Sequence, residues 1–183
     1  MPADVVELIM ADHREVERLF TELKEKPDQR VNLVPVLTAL LSAHSRAEEA
    51  EVYPVARAEA GETDEVAHSQ EEHLQADELL KQLAGTDPAT PSFEDVLGEL
   101  VKAVTHHVEE EESNVLPGLR ERLDADRLAE LTEAFAASRA QHLGDPPPDL
   151  TRDERATQAR NIGVSGASSM TKDELADELT PRS

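Results

Sequence analysis

Apolar residues recur along this chain at steps of three and four, the period of helices that bury one face. Val6, Ile9, His13, Val16 or Glu17, Phe20 and Leu23 line one side of a helix expected from about Asp4, its N-cap, to Lys24, with Lys26-Pro27-Asp28 ending it. A second helix, from about Gln29 to Ala60, carries Leu37, Leu41, His44, Glu48, Val52 and Val55 in line and stops at Gly61. The third begins at Thr63 or Asp64, runs to Leu83 and aligns Val66, His73, Leu80 and Leu83. After the Gly- and Pro-rich loop from Gly85 to Pro91, Ser92 and Asp95 read as a capping box. They open a fourth helix whose stripe is Leu97, Leu100, Val104, His107, Glu111 and Val115. Pro54 and Pro117 fall inside the second and fourth helices and should kink them or end them early.

These stripes repeat. From His44 to Pro54 and from His107 to Pro117, histidine, two glutamates, valine and proline coincide position for position. Asp12-His13 leads to Leu19-Phe20 and Leu23 as Glu72-His73 leads to Leu79-Leu80 and Leu83. Two copies of a helix pair, each with one wet stripe, can bury it only against each other. The pattern therefore predicts an all-α, antiparallel up-down four-helix bundle spanning residues 1–143. A fifth helix, Asp124 to Gln141, should pack on it through Leu128, Leu131, Phe135 and Ala136. Residues 144–150 read as a stiff proline-rich linker. Over 151–183, Thr151/Glu154 and Thr171/Glu174 are capping boxes of two short helices, a helix–loop–helix tail with little apolar content of its own.

Composition narrows the chemistry. Cysteine is absent, which excludes disulfides and thiolate metal sites and fits a reducing cytoplasm. No apolar run approaches the ~20 residues of a membrane span. The net charge of −22 opposes binding to phosphate backbones and anionic lipid, and favours cations.

The polar residues on the apolar stripes are the candidates. His13, His44, His73 and His107 share faces with leucines and valines, and Glu48 and Glu111 each follow a histidine by one turn. His106 lies on a wet face with Glu99, Lys102 and Glu110, and His68 lines up with Glu65 and Glu72, off the face of His73. One His-x-x-x-Glu pair is ordinary on a helix surface, and one histidine on an apolar face is usually a hydrogen-bonded core residue. Two buried copies are different, because two carboxylates without a cation would each cost several kcal/mol, order of magnitude, or stay protonated. Imidazole and carboxylate without thiolate suit iron, manganese or zinc. Four histidines and two glutamates serve two ions if each takes two histidines and the glutamates bridge. Imidazole ligation predicts loss of metal as pH falls through roughly 5 to 6. The ferritin-like Glu-x-x-His motif is missing: Met10, Leu41, Gln70 and Val104 stand three residues before the four histidines.

The pattern His … His-x-x-x-Glu … His … His-x-x-x-Glu, with Glu48-Glu49-Ala50-Glu51-Val52-Tyr53-Pro54 and Glu111-Glu112-Ser113-Asn114-Val115-Leu116-Pro117, resembles the hemerythrin-like HHE cation-binding family over residues 5–143. The resemblance implies a non-haem di-iron centre, two Fe ions bridged by oxo, hydroxo or water, with Zn or Mn as alternatives. Its implied ligands are His13, His44, Glu48, His73, His107 and Glu111. Oxygen-carrying hemerythrins have a second histidine in helix three where this sequence has Asp77, and a helix-four His-x-x-x-x-Asp where Glu111 and Glu112 compete. Asp77, its repeat mate Glu17, Glu112 and His68 are thus further ligands or groups that order one. The carboxylate-rich set resembles members that react with or sense O2, peroxide or NO, or handle iron, rather than O2 carriers. The tail, 149–183, resembles the N-terminal helix–loop–helix of the transcription terminator Rho. Its five basic and seven acidic residues favour docking a protein over nucleic acid.

Overall fold

The computed structural model describes residues 3–143 and 150–180. The expected linker lies outside the described residues apart from Leu150. Helix α1 (Val5–Glu25) starts where Asp4 accepts from the Glu7 N–H. It is followed by α2 (Arg30–Ala47), α3 (Tyr53–Val55), α4 (Thr63–Gly85), α5 (Pro91–Ser113), α6 (Val115–Arg122) and α7 (Ala125–His142). The tail holds α8 (Arg152–Asn161) and α9 (Lys172–Leu179). No strand occurs among the described residues.

Contacts between α1 and α2, α2 and α4, α4 and α5, and α5 and α1 close a ring of long helices. Its interior divides into two apolar clusters. One gathers Phe20, Leu37, Leu83 and Phe93; the other gathers Ile9, Tyr53, Leu116 and Phe135. Helix α1 enters through the second cluster and leaves through the first; α2 returns, α4 repeats the descent and α5 the return. In each helix of the ring a histidine or glutamate stands between the clusters: His13 between Ile9 and Val16, His44 between Leu41 and Ala47, His73 between Val66 and Ala76, Glu111 between Val108 and Val115. The polar layer is thus sealed above and below by apolar side chains, which keeps water away and strengthens every charge interaction inside it.

The prolines act as breakers, each in its own way. After Ala47 the helix widens into a π-turn over Glu48–Val52, where the Tyr53 N–H reaches back to the Glu48 carbonyl. Pro54 can offer no N–H and its ring crowds the carbonyl four residues back, so the looser turn absorbs both defects. A second π-turn, Ala56–Ala60, ends at Gly61, whose φ of 78° needs glycine. Helix four instead breaks: α5 ends at Ser113, Asn114 bends, and α6 resumes at Val115. Ser113 carries the carbonyl that the ring of Pro117 would strike in a straight helix. The start of α5 differs from expectation. It begins at Pro91, with Thr90 as N-cap, so Ser92 and Asp95 lie inside the first turns and form no capping box. Proline at the first helical position sacrifices only an N–H that has no partner there, and it prevails.

Helix α7 lies across α1 and α2, burying Leu131 and Phe135. Both tail capping boxes form as expected. The tail's apolar residues Ala156, Ala159, Ala167, Leu175 and Leu179 pack together with Leu74 of α4, so a bundle residue completes the small core.

Candidate metal centre

The six candidate ligands converge. All are buried, and Glu48 and Glu111 are fully so at 0 % exposure. Glu48 Oε2 lies 3.1 Å from His44 Nε2 and 3.4 Å from His73 Nε2, while Glu111 Oε2 lies 3.3 Å from His13 Nε2 and 3.8 Å from His107 Nε2. Each carboxylate therefore spans one imidazole from each copy of the repeat. The rings pair the other way, His13 with His44 at 5.1 Å and His73 with His107 at 4.6 Å between centroids. His13, His44 and Glu48 bring ligand atoms close enough to share one ion, and Glu48, His73 and His107 close enough to share another. Glu48 belongs to both groups.

What turns all four Nε2 atoms inward is a carboxylate behind each ring. His13 Nδ1 donates to Glu112 at 2.9 Å, His44 to Asp12 at 3.2 Å, His73 to Glu49 at 3.2 Å and His107 to Glu72 at 3.0 Å. A proton fixed on Nδ1 leaves the Nε2 lone pair free for a cation. The residue before the histidine of one copy orients the second histidine of the same copy, as Asp12 does His44 and Glu72 does His107. The residue after each buried glutamate reaches across to the other copy, Glu49 to His73 and Glu112 to His13. The duplication thus extends to the supporting residues.

The fit to metal rests on atoms left without partners. His13 Nε2, His44 Nε2 and all four oxygens of Glu48 and Glu111 are buried with no hydrogen-bond partner; the contacts above are close but not aligned as hydrogen bonds. Two unsatisfied buried carboxylates beside the unpartnered Nε2 atoms of His13 and His44, with the His73 and His107 Nε2 atoms 3.1 Å apart, are what a cation site presents. Tyr53, fully buried, places its hydroxyl 3.1 Å from His73 Nε2. Burial and the charges of Glu111, Glu48 and Glu49 hold its phenol well above the usual range, so it stays protonated. A cavity of about 10 Å³ adjoins the four imidazoles and is walled by Val16, Leu41, Val104 and Val108. It has room for about one water-sized molecule.

The other candidates go elsewhere. Glu112 sits behind His13 and also pairs with Arg14. Glu17 is half-buried and tied to Arg14, and joins neither buried group. Asp77 is half-buried beside Arg46 and Lys81 and belongs to no ligand group among the described residues. Burial and the charge of Glu49 push its carboxyl up to about 6, against the pull of His73 and the two cations. His68 is exposed and stands apart from the buried groups, beside Glu72, His106 and Glu110. Other residues support the centre without a helical-period signal of their own. Asp12 is held by Arg139 of α7 at 2.5 and 2.7 Å, and their joint charge effect with His44 lowers its carboxyl against burial. Glu49 accepts from Gln70 at 2.7 Å and from Gln158 of the tail at 2.9 Å. The doublets Asp12-His13, Glu72-His73, Glu48-Glu49 and Glu111-Glu112 were the available signal.

Two outcomes are expected. His107→Ala should remove metal from the buried centre, whereas His106→Ala, whose ring is 58 % exposed, should leave the buried centre filled; elemental analysis of the two proteins, with the absorption of the metal-loaded centre, separates these results. The second concerns pH. Burial opposes a charge on His44, but Glu48 and Asp12 outweigh it and push the imidazole up to about 10; Glu48 and Glu49 likewise overcome burial at His73. Glu48 is drawn well below the carboxylate range by His44 and His73 despite its burial. In metal-free protein the imidazolium contribution is complete below about pH 6.5 and is lost as pH rises through the raised values. The Glu48 contribution is complete above about pH 4.5 and lost in acid. Thermal unfolding under chelation should therefore give a lower midpoint at pH 9 than at pH 6. Metal must displace these protons, so affinity should begin to weaken well above the pH 5 to 6 expected from imidazole alone.

The comparisons with known proteins point the same way. The family model described as "Hemerythrin HHE cation binding domain" matches residues 4–119. A protein of Nostoc sp. (strain PCC 7120 / SAG 25.82 / UTEX 2576) named "DNA nickase" is 31 % identical over 146 residues, which is 77 % of this chain and 41 % of that protein. The chain thus spans less than half the length of that relative. No solved structure matches.

Proposed function

Since the chain belongs to the hemerythrin HHE cation-binding family, we propose that it is a non-haem di-iron protein that reacts with or senses O2, peroxide or NO rather than carrying O2. The observation that carries this reading is the shared position of Glu48 between two imidazole pairs, with all four oxygens of Glu48 and Glu111 lacking donors. His13 and His44 would hold one iron, His73 and His107 the other, and Glu48 and Glu111 would lie between them. A bound iron pair would supply electrons and open coordination positions to a small ligand. The protein's own contribution is orientation and exclusion. Four carboxylates fix the rings, the valines and Leu41 wall the cavity, and the Tyr53 hydroxyl, held protonated, offers a hydrogen bond beside His73. The cavity, with room for about one water-sized molecule, is too small for an organic substrate.

Air added to the anaerobic, iron-loaded protein should change its near-ultraviolet and visible absorption. A colourless iron form that ignores oxygen, peroxide and NO alike would end this reading. DNA nicking is not carried over from the relative, because more than half of that protein lies outside the match and a net charge of −22 opposes a phosphate backbone. Among the described residues no helix is long and apolar enough to cross a membrane. With no cysteine in the chain, we place the protein's work in a reducing cytoplasm.

A second reading is an iron reservoir or iron-level sensor whose folding is coupled to metal occupancy, with the tail presenting or hiding a surface for a protein partner. One contact favours it: the tail's Gln158 holds Glu49, and Glu49 holds His73. Chelation should then lower the unfolding midpoint steeply and speed hydrogen exchange in the tail. A metal-free protein as stable as the loaded one would exclude it.

A further inference from the structure

We infer that His68, Glu72, His106 and Glu110 form a second metal site on the surface between α4 and α5, selective for a divalent transition-metal ion and separate from the buried pair. His68 and Glu72 are one turn apart on α4, and His106 and Glu110 are one turn apart on α5, the helix packed against it. One such pair on a single helix is an ordinary surface contact of a few tenths of a kcal/mol, roughly. Here two pairs face each other across the helix interface. His68 Nε2 lies 3.0 Å from Glu110 Oε2 and 3.5 Å from Glu72 Oε1; His106 Nε2 lies 3.5 Å from Glu110 Oε1 and 3.6 Å from Glu72 Oε1. One ligand atom from each residue falls within 4.8 Å of every other. Ligands about 2.0–2.1 Å from a tetrahedral ion stand about 3.3 Å apart, so small rotations of exposed side chains close the set.

The anchor of this site is not free to wander. Glu72 is only 11 % exposed, and its Oε2 is held at 3.0 Å by His107 Nδ1. That bond aims Oε1 at the two surface imidazoles. Two imidazole nitrogens with two carboxylate oxygens favour zinc, iron, cobalt or nickel over magnesium or calcium, which prefer oxygen alone.

The test is a stoichiometry, so it stands apart from any activity of the buried centre. Full-length protein stripped of metal, and its His68→Ala/His106→Ala variant, are titrated with Zn2+ by calorimetry. Whatever number of ions the buried centre takes, the wild type should bind one more per chain than the variant. Both changes fall on exposed positions, and iron-loaded variant should keep the absorption of the buried centre. Untagged wild type should also be retained on immobilised Ni2+ and the variant should not. Equal Zn2+ stoichiometry in the two proteins, or equal retention, would overturn the surface site while leaving the buried one untouched. Loss of the buried-centre absorption in the variant would also overturn it, by showing the two sets of residues to be one site.

Discussion

Glu48→Ala should strip the buried centre of both its ions. Glu48 is the one residue shared by the two buried ligand groups, and its charge is what both His44 and His73 face. Without it, His44 and His73 face no carboxylate between them, and Glu111, beside His13 and His107, is left alone between the two ligand pairs. Removing one partner of a buried charge pair costs ~3–5 kcal/mol, about 10²- to 10³-fold or more in affinity. Glu112→Ala offers the contrast, since Glu112 only orients His13 from behind. Loss of such a supporting group typically costs 10–100-fold, roughly, so this variant should still fill at saturating metal. Metal content after exhaustive dialysis against iron reads the difference. Two ions retained by Glu48→Ala would show that the carboxylate does not bridge.

Next in size is the effect of the tail on a centre it never touches. Gln158 Nε2 donates to Glu49 Oε2, and Asn161 Nδ2 donates to the Glu49 carbonyl at 3.0 Å and to Gln70 Oε1 at 2.9 Å. Gln70 in turn donates to Glu49 Oε1, the oxygen that receives His73 Nδ1. All of these groups are buried. The Glu49 carbonyl needs Asn161 because the chain's own donor at that point of the π-turn is Pro54, which has none. Gln158→Ala/Asn161→Ala should weaken metal binding about 10–100-fold, as for other supporting groups. It should also destabilise the protein by ~1–3 kcal/mol for each buried group left unpaired. Competition against a coloured chelator gives the first quantity and thermal unfolding the second. A variant that loses stability while holding metal as tightly as the wild type would reduce the tail to a structural appendage.

The duplicated helix pairs, the apolar stripes and the six buried polar side chains between them were all legible in the chain. Each depends on residues three or four apart, and that spacing is a local property of one helix. Val16 rather than Glu17 completes the α1 stripe, and His107 rather than His106 faces inward, for the same reason. Periodicity stops being informative when the partner sits on another element. Asp12 and Asp77 are both acidic residues near a histidine on a helix, yet Asp12 orients His44 from 32 residues away and Asp77 joins no ligand group among the described residues. Glu112 reaches His13 across 99 residues. No rule of spacing within a helix selects between such cases, because the choice depends on how α1, α2, α4 and α5 are rotated against one another.

By itself, then, the sequence determined the helices, their repeat and the chemical type of the buried layer, since amphipathic spacing dictates which side chains leave water. Tertiary structure alone decided which carboxylate stands behind which imidazole, that Arg139 and the tail brace Asp12 and Glu49, and that Pro54 widens its helix whereas Pro117 breaks its own. Those outcomes turn on long-range packing and on where an unsatisfied backbone group finds a donor, and neither is encoded in the period of any single segment.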